Sequence, residues 1–272
     1  MVYFVATPIG NLKDISVRAL EVLRACDCVF CEDTRHSLKL LNHYEIKKPL
    51  YSCHRFNERA AAEKLAALAR EGKEVAVVTD AGTPVISDPG NVLAAILRER
   101  NIAFTFIPGA CAFVAALVLS AFPAERFSFI GFLRGKKNEK IALLKEYEND
   151  RGTLVFYSAP QDVESDVELL FETLGNRRAC AVREITKIHE SAQYFNLKEG
   201  LAGEKRGEYV LLVHGAEKRE CPLIALSVPA HVEYYVSQGL DSKEALKRAA
   251  KDRGVSKSEL YKEMLAQKVN KE

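Results

Sequence analysis

The sequence predicts an α/β protein made of two α/β domains, residues 1–121 and 122–220, and a small C-terminal helical module, 221–272. Three observations carry this. The first half alternates short apolar runs with segments whose apolar residues recur at helical spacing, the pattern of a mostly parallel sheet covered by helices. After about residue 122 the extended runs crowd together with fewer helices between them, which points to a mixed sheet. The tail has neither texture and reads as short polar helices.

Taken in order, VYFVAT (2–7) is a strand and DISVRALEVLRAC (14–26) a helix with Asp14 as its N-cap. CVFCE (28–32) is a second strand, RHSLKLLNHY (35–44) a helix, and PLYSCH (49–54) a short extended run. NERAAAEKLAALAREG (57–72) is a helix stopped by Gly72, and EVAVVT (74–79) a buried strand. NVLAAILRER (91–100), AFTFIP (103–108) and the very apolar ACAFVAALVLSA (110–121) complete the half as helix, strand, helix. In the second half RFSFIGFL (126–133) and GTLVFYS (152–158) are strands, and RGKKNEK (134–140) is a basic loop leading into a helix. PQDVESDVELLFETLG (160–175) is a helix ended by Gly175, and ACAVREIT (179–186), HESAQYFNL (189–197) and GEYVLLVHG (207–215) are extended. In the tail, ALKRAAKDRGVSKSELYKEML (245–265) reads as two helices broken by Gly254, the second capped by Ser256.

Composition narrows the function classes. With 272 residues, 48% of them hydrophobic and 28% charged, the chain suits a folded globular protein with a substantial core. Lys and Arg number 39 against 37 Asp and Glu, so a grip on nucleic acid spread over the whole surface is not expected, only local basic patches. No signal sequence and no membrane-spanning apolar run is apparent, and the expected location is the cytoplasm, with reduced thiols at the seven cysteines and no membrane partner. CDCVFC (26–31) holds a Cys-x-x-Cys, yet in a strand residues three apart face opposite ways, and no second pair or nearby His completes a ligand set. No metal is expected.

Three strand ends carry unusual loops: TPIGN (7–11), DAGTPVISDPG (80–90) and PGACA (108–112). Gly and Pro mark turns in every protein, and each loop alone is satisfied by that reading. Three on one edge of a parallel sheet favour a shared ligand site, since ligands bind outside the carboxyl ends of such strands. Neither Gly-x-Gly-x-x-Gly nor a P-loop is present, so the site is not an ordinary dinucleotide or nucleoside-triphosphate pocket.

TPIGNLKDIS.RAL, CEDTR, TDAGTP.ISDPG, IPGA and REITKIHE occur in that order, and the chain thereby resembles the tetrapyrrole methylase superfamily of S-adenosylmethionine-dependent methyltransferases. EDTR and the DAGTP.ISDPG loop are similar to its 16S rRNA cytidine 2′-O-methyltransferase branch. The resemblance spans residues 2–215 strongly and the tail more loosely. It implies a class III methyltransferase fold with the cofactor in a cleft between two α/β domains, a homodimer, and methylation of the ribose 2′-oxygen of a decoding-centre cytidine in 16S rRNA, within the 30S subunit or as free rRNA. Carried over by motif, Pro8 and Gly10 shape one wall, Asp80, Ala81, Gly82 and Thr83 contact S-adenosylmethionine, and Cys111 and Ala112 contact it further along. Tyr157, Ser158 and Ala159 approach from the second domain, with GEYVLL near Glu208. Relatives often carry serine where this chain has Cys111, which leaves a backbone contact there.

A ribose hydroxyl needs a base or a neighbouring cation. Candidates are Glu32, Asp33 and Arg35 after the second strand, His54 and Glu58 after the third, and Glu184, Lys187 and Glu190 in REITKIHE. Glu184 and Lys187 are expected nearest the chemistry, and Arg35 and Arg183 on RNA phosphate. Asp33 and Thr34 equally suit a helix N-cap, the arginines equally suit pairing with nearby carboxylates, and His54 equally suits a loop. RGKK (134–137) is a solvated turn or a phosphate contact, and the tail holds the ribosomal substrate or serves as a packing or dimer appendage. Two rivals remain: a superfamily methyltransferase acting on a tetrapyrrole or an elongation-factor diphthamide precursor, and a non-enzymatic RNA-binding protein. Intact Gly10, Gly82 and Gly109 speak against the second.

Overall fold

The computed structural model describes residues 1–203, 206–217 and 222–269, the last four of these by backbone alone. By packing it forms two compact units, Met1–Ala216 and Glu217–Glu272. The boundary expected at 220/221, and Cys221 with it, lies outside the described residues.

The first sheet contains β1 (Val2–Val5), β2 (Cys28–Cys31), β3 (Leu50–Ser52), β4 (Val75–Val77) and β5 (Phe104–Ile107), all parallel, in the order β3-β2-β4-β1-β5. Helices α1 (Val17–Ala25), α2 (Thr34–His43), α3 (Glu58–Arg70) and α4 (Asn91–Glu99) cover it. β2 and β4 are buried along their whole length, because both faces are covered. Val2, Phe4, Phe30, Val75 and Val77 pack on one face with α3 and α4, and Val5, Val29, Ala76 and Val78 on the other with α1 and α2. Cys28 and Cys31 fall on opposite faces, as the pleat requires. Burial pushes the thiols of Cys26 and Cys180 up to about 11 and that of Cys53 up to about 12.

One cap differs from expectation. Asp14 ends a 3-10 turn, Leu12–Asp14, that Asn11 caps, and α1 starts later, with the Ser16 hydroxyl accepting the Ala19 N–H at 3.1 Å. Two short side chains compete for capping here, and the one nearer the apolar stripe takes the helix.

The second sheet holds β6 (Phe127–Phe132), β7 (Thr153–Ser158), β8 (Arg178–Arg183), β9 (Ser191–Asn196) and β10 (Tyr209–Val213), in the order β6-β7-β10-β8-β9. β6 and β7 run parallel and the other pairs antiparallel, so the sheet is mixed. On one face lie α6 (Lys137–Glu146) and α7 (Val163–Leu174). The opposite face packs against α5 (Ala112–Ser120), through Ala116 and Leu117 on Val155, Val182 and Leu212. The helix that closes the first half of the chain therefore belongs by packing to the second sheet. A bulge between Phe129 and Gly131 bends β6, with Gly131 left-handed at φ +74.

The C-terminal unit has its own core. Helix α8 (Val228–Ser237), which the sequence reading leaves unassigned, packs with α9 (Ser242–Arg253) and α10 (Lys257–Val269) through Val228, Val232, Ala249 and Leu260. Gly254 ends α9 left-handed at φ +68, and Ser256 and Glu259 form a reciprocal cap on α10. His231 is fully buried between the Asp252 carboxylate at 3.2 Å and the Arg253 guanidinium at 3.1 Å. Among the described residues no helix is long and apolar enough to cross a membrane.

Candidate functional site

The strands β4, β1 and β5 are neighbours in the first sheet, so their three carboxyl-end loops share one edge. They are knitted together by backbone. The Thr7 N–H donates to the Gly82 carbonyl at 2.8 Å and the Gly82 N–H returns to Thr7 at 3.1 Å. The Thr83 hydroxyl donates to the Ala110 carbonyl at 3.0 Å. Approach is close enough to demand glycine. A Cβ on Gly109 would stand 2.9 Å from the Ala6 Cβ, and Gly82 is left-handed at φ +84 with Ile9 3.1 Å from where its Cβ would be. Pro8, Gly10, Asp80, Ala81, Gly82, Thr83, Cys111 and Ala112 thus converge on one edge. The Asp80 carboxylate is partly engaged, accepting the Asp33 N–H at 3.1 Å.

From the second sheet, Tyr157 reaches the same place. Its hydroxyl faces the Phe113 backbone beside Cys111 and Asp88, and burial pushes its pKa well above the usual phenol value. Phe129 and Phe132 pack edge-on against its ring at 5.1 and 5.4 Å, and Phe113 stacks on Phe129 at 4.6 Å. Ser158 does not follow. One position along the strand, its side chain points to the other face and donates to the buried Asp166 at 2.7 Å, where Lys140 also binds. Ser158 offers the site only backbone, and the Ala159 carbonyl accepts the Asp162 and Val163 N–H groups that begin α7.

Glu184 and Lys187 are brought to the TPIGN loop. Lys187 Nζ lies 2.9 Å from Glu184 and 2.8 Å from Glu208, and the Glu208 N–H donates to the same Glu184 oxygen at 2.9 Å. Burial opposes charge on both partners but is outweighed. The Glu208 N–H and Lys187 hold Glu184 below the usual carboxylate range, and the two carboxylates hold Lys187 above its ordinary value. Glu184 stays ionised and Lys187 protonated at neutral pH, so this group supplies charge and position. The turn carrying it is strained, with Glu184 at φ +51 and the β-branched Thr186 at φ +65. The Glu190 carboxylate accepts the Thr186 N–H at 2.6 Å, and the Thr186 hydroxyl donates to Asp14.

Other candidates separate. Arg35 forks onto Asp33 at 2.8 and 3.1 Å with its side chain 88% exposed, and this pairing draws the Asp33 carboxyl down to about 2. Asp33 also caps α2. Arg183, by contrast, ends β8 near Glu184 and helps hold that carboxylate ionised, while its buried Nε has no hydrogen-bond partner among the described residues. Glu58 is not free for chemistry: its buried carboxylate accepts the N–H groups of Gly90, Val92 and Leu93 at 2.8, 2.9 and 3.2 Å and caps α4 from α3. In RGKK, Lys137 pairs with Glu172 at 2.8 Å and the Glu139 carboxylate accepts the Lys136 N–H, so the end of the segment caps and begins α6.

One group at this edge is absent from the sequence-based candidates. Asp88 lies by Glu32, Asp80 and the Thr79 hydroxyl, and burial pushes its carboxyl up to about 7, with Glu32 adding to the rise. Glu32 is raised too, chiefly by burial. A signal existed in the second aspartate of DAGTPVISDPG, but its partners come from distant strands.

Comparison with known proteins places the chain among methyltransferases. The family model described as "Tetrapyrrole (Corrin/Porphyrin) Methylases" matches residues 1–199. A relative from Halalkalibacterium halodurans named ribosomal RNA small subunit methyltransferase I is 40% identical over 267 residues, covering 95% of this chain and 92% of the relative. Among solved structures, a diphthine synthase superposes with TM-score 0.62 at 14% identity, over 78% of this chain and 89% of that one. A uroporphyrin-III C-methyltransferase from Thermus thermophilus, complexed with S-adenosyl homocysteine, gives TM-score 0.56 at 17% identity, over 78% and 96%. The two structural likenesses concern the fold.

Proposed function

The chain belongs to the tetrapyrrole (corrin/porphyrin) methylase family, and from that premise we propose that it methylates the ribose 2′-oxygen of a cytidine in 16S rRNA, with S-adenosylmethionine as donor. The observation that supports this most directly is the knitting of the β4, β1 and β5 tips into one glycine-lined edge, in a chain whose curated relatives are named as small-subunit rRNA methyltransferases.

The residues present fit the donor. Close backbone approach at Gly82 and Gly109 leaves main-chain groups, rather than side chains, to line a pocket at the strand tips. Pro8, Gly10, Asp80, Ala81, Gly82, Thr83, Cys111 and Ala112 would hold it on one side and Tyr157 on the other, with backbone from Ser158 and Ala159. When bound, S-adenosylmethionine supplies a methyl group already activated by the sulfonium charge. The protein then has to align the acceptor oxygen with that carbon and to receive the acceptor's proton. Lys187, fixed by two carboxylates, orients the acceptor, and Arg35 and Arg183 contribute positive charge for the RNA backbone.

The chain is read as three working parts, residues 1–121, 122–220 and 221–272, the last helping to hold the ribosomal substrate. It acts as a homodimer. α5 is apolar on every side, yet Val114 and Val118, one turn apart, lie 48% and 77% exposed, and a second copy covers that stripe. The cytoplasm, where ribosomes assemble, is the matching location.

Tritiated methyl donor offered with 30S particles, naked 16S rRNA or uroporphyrinogen tests the reading. Label is expected in 16S rRNA and, after nuclease digestion, in 2′-O-methylcytidine. Label only in the porphyrinogen, or in no acceptor, overturns it.

A further inference from the structure

Most of the sequence-based candidates are already committed; Glu32, raised by burial, and His54, which faces it, are left, and Glu32 lies beside Asp88. Glu184 is held ionised by Lys187 and the Glu208 N–H, and Lys187 is held protonated. Glu58 is spent on three N–H groups of α4, Asp33 on Arg35, and Glu190 on the Thr186 N–H. We propose that Asp88 is the general base that accepts the proton of the acceptor hydroxyl during methyl transfer. This rests on the reading that the acceptor is a ribose hydroxyl.

Placement carries the argument. Asp88 sits where the two sheets of the larger unit meet: by Glu32 at the end of β2, by Thr79 and Asp80 at the end of β4, and by Tyr157 of β7, which itself borders Cys111. It therefore faces the same edge as the three knitted loops. The segment around it is over-determined. Val85 and Ser87 are both left-handed, at φ +79 and +64, an uncommon conformation for a β-branched residue and a serine. The strain is held in place from three directions. The Val85 N–H donates to the Pro89 carbonyl at 3.3 Å, and the Gly90 N–H donates to Glu58 at 2.8 Å. The Ser87 hydroxyl lies 3.0 Å from where a Cβ on Gly131 of the β6 bulge would stand. Strain stored next to one carboxyl, and anchored across both sheets, is the mark of a group whose position matters.

A second observation points to an occupant. Thr79 is 3% exposed, and its hydroxyl, close enough to Asp88 to favour the carboxylate, has no hydrogen-bond partner of normal geometry among the described residues. A buried hydroxyl left unmatched beside a carboxyl suits a site completed by a ligand's own polar group. The charged and titratable groups facing Asp88 are Glu32, Asp80 and Tyr157, and His54 faces Glu32 in turn. No cation among them neutralises Asp88. Burial and these carboxylates raise its basicity to about 7, where a carboxylate is both present and able to take a proton.

The step balances. The acceptor O–H bond breaks and its proton passes to an Asp88 oxygen. The oxygen's electron pair forms the new bond to the methyl carbon of S-adenosylmethionine, and the carbon–sulfur bond breaks with its pair remaining on sulfur as a neutral thioether. Asp88 afterwards releases the proton to water.

The test uses the full-length protein, its Asp88→Asn and Asp88→Glu variants, and 30S particles or 16S rRNA, whichever the wild type labels. For wild type, kcat at saturating donor is expected to rise with pH through about 7 and then level. Asp88→Asn should lose about 10²-fold or more in kcat and lose that pH limb, while calorimetric affinity for donor stays within about threefold. Asp88→Glu should recover part of the rate with a shifted limb. In the substrate-free protein, carbon-13 NMR of aspartate carboxyls should lose one signal titrating near neutral pH in Asp88→Asn. Wild-type kcat in Asp88→Asn, persistence of the same pH limb, or a loss of donor affinity that matches the loss of rate would each overturn the assignment. A wild-type protein that labels no rRNA removes the proposed function itself, an outcome the variants do not enter.

Discussion

Lys187 lies along Gly10: a Cβ built on Gly10 would stand 2.5 Å from Lys187 Cγ and 2.9 Å from its Cε. A loop of the second sheet thus rests on the first loop of the first sheet, and the absence of one side chain lets it do so. The same lysine ties Glu184 to Glu208, so the contact links the edge of β1 to the end of β8.

Gly10→Ala should push Lys187 off its two carboxylates. The closest atom, Cγ, is near the root of the side chain, so the loop must shift: stability should fall by about the 1 kcal/mol that losing the Lys187 pairing costs, and methyl transfer by between about tenfold and 10²-fold through misplacement. Parallel circular-dichroism melts and turnover assays check this. A normal rate would show that the contact is incidental.

Lys187→Ala should reduce turnover more than donor affinity, and an unchanged rate removes Lys187 from the mechanism. It also has a pH signature. Glu184, held below 4.5, contributes stability that is full above 4.5 and lost as pH falls through its folded value. Lys187, held above 10.5, contributes stability that is full below 10.5 and lost as pH rises through its folded value. The destabilisation by Lys187→Ala, about 1 kcal/mol for a partly exposed pair, should therefore be flat between these limits and shrink outside them in urea titrations.

Glu58→Ala strands three helix N–H groups of α4 in a buried setting and should cost about 2–3 kcal/mol in urea unfolding. Glu58→Gln keeps an acceptor oxygen and should cost under about 1 kcal/mol. Equal losses would mean that packing, not capping, is what Glu58 provides.

Asp88→Asn should stabilise the protein at neutral and alkaline pH. A carboxyl raised from 3.8 to about 7 gives stability that is full below 3.8 and lost as pH rises through about 7. Asn loses nothing over that range. The variant should lead by roughly 1 kcal/mol at about pH 8, after allowing for solvent screening, and converge with wild type in acid. Thermal melts across pH decide it; identical curves would mean the carboxyl is not raised.

Val118→Glu places a charge on the open stripe of α5 and should convert a dimer into monomers by sedimentation equilibrium, with the far-ultraviolet spectrum unchanged. An intact dimer would move the interface elsewhere.

The elements were legible because the period-two and helical patterns are strong where both faces of a sheet are buried, as in CVFC and VAV. Convergence of the three loops was legible from Gly and Pro at strand ends. What sequence could not supply was direction and partnership. Ser158 and Tyr157 are adjacent, and only the pleat of β7 decides that one faces Asp166 and the other the site. Glu58 read as a candidate base because nothing local reveals that α4 begins against it. Asp88 does not stand out within its loop because the neighbours that raise it come from β2, β4 and β7. Asp14 lost its cap to Ser16 two positions on, within the margin by which helix starts are ever predicted.

Of the described cysteines, five are buried and Cys111 alone is part-exposed, at the mouth of α5 beside Tyr157. An alkylating reagent added to the native protein would meet that sulfur ahead of the other five. Its labelling speed would slow as the neighbouring space filled, giving an occupancy gauge that needs neither radioactivity nor a ribosome.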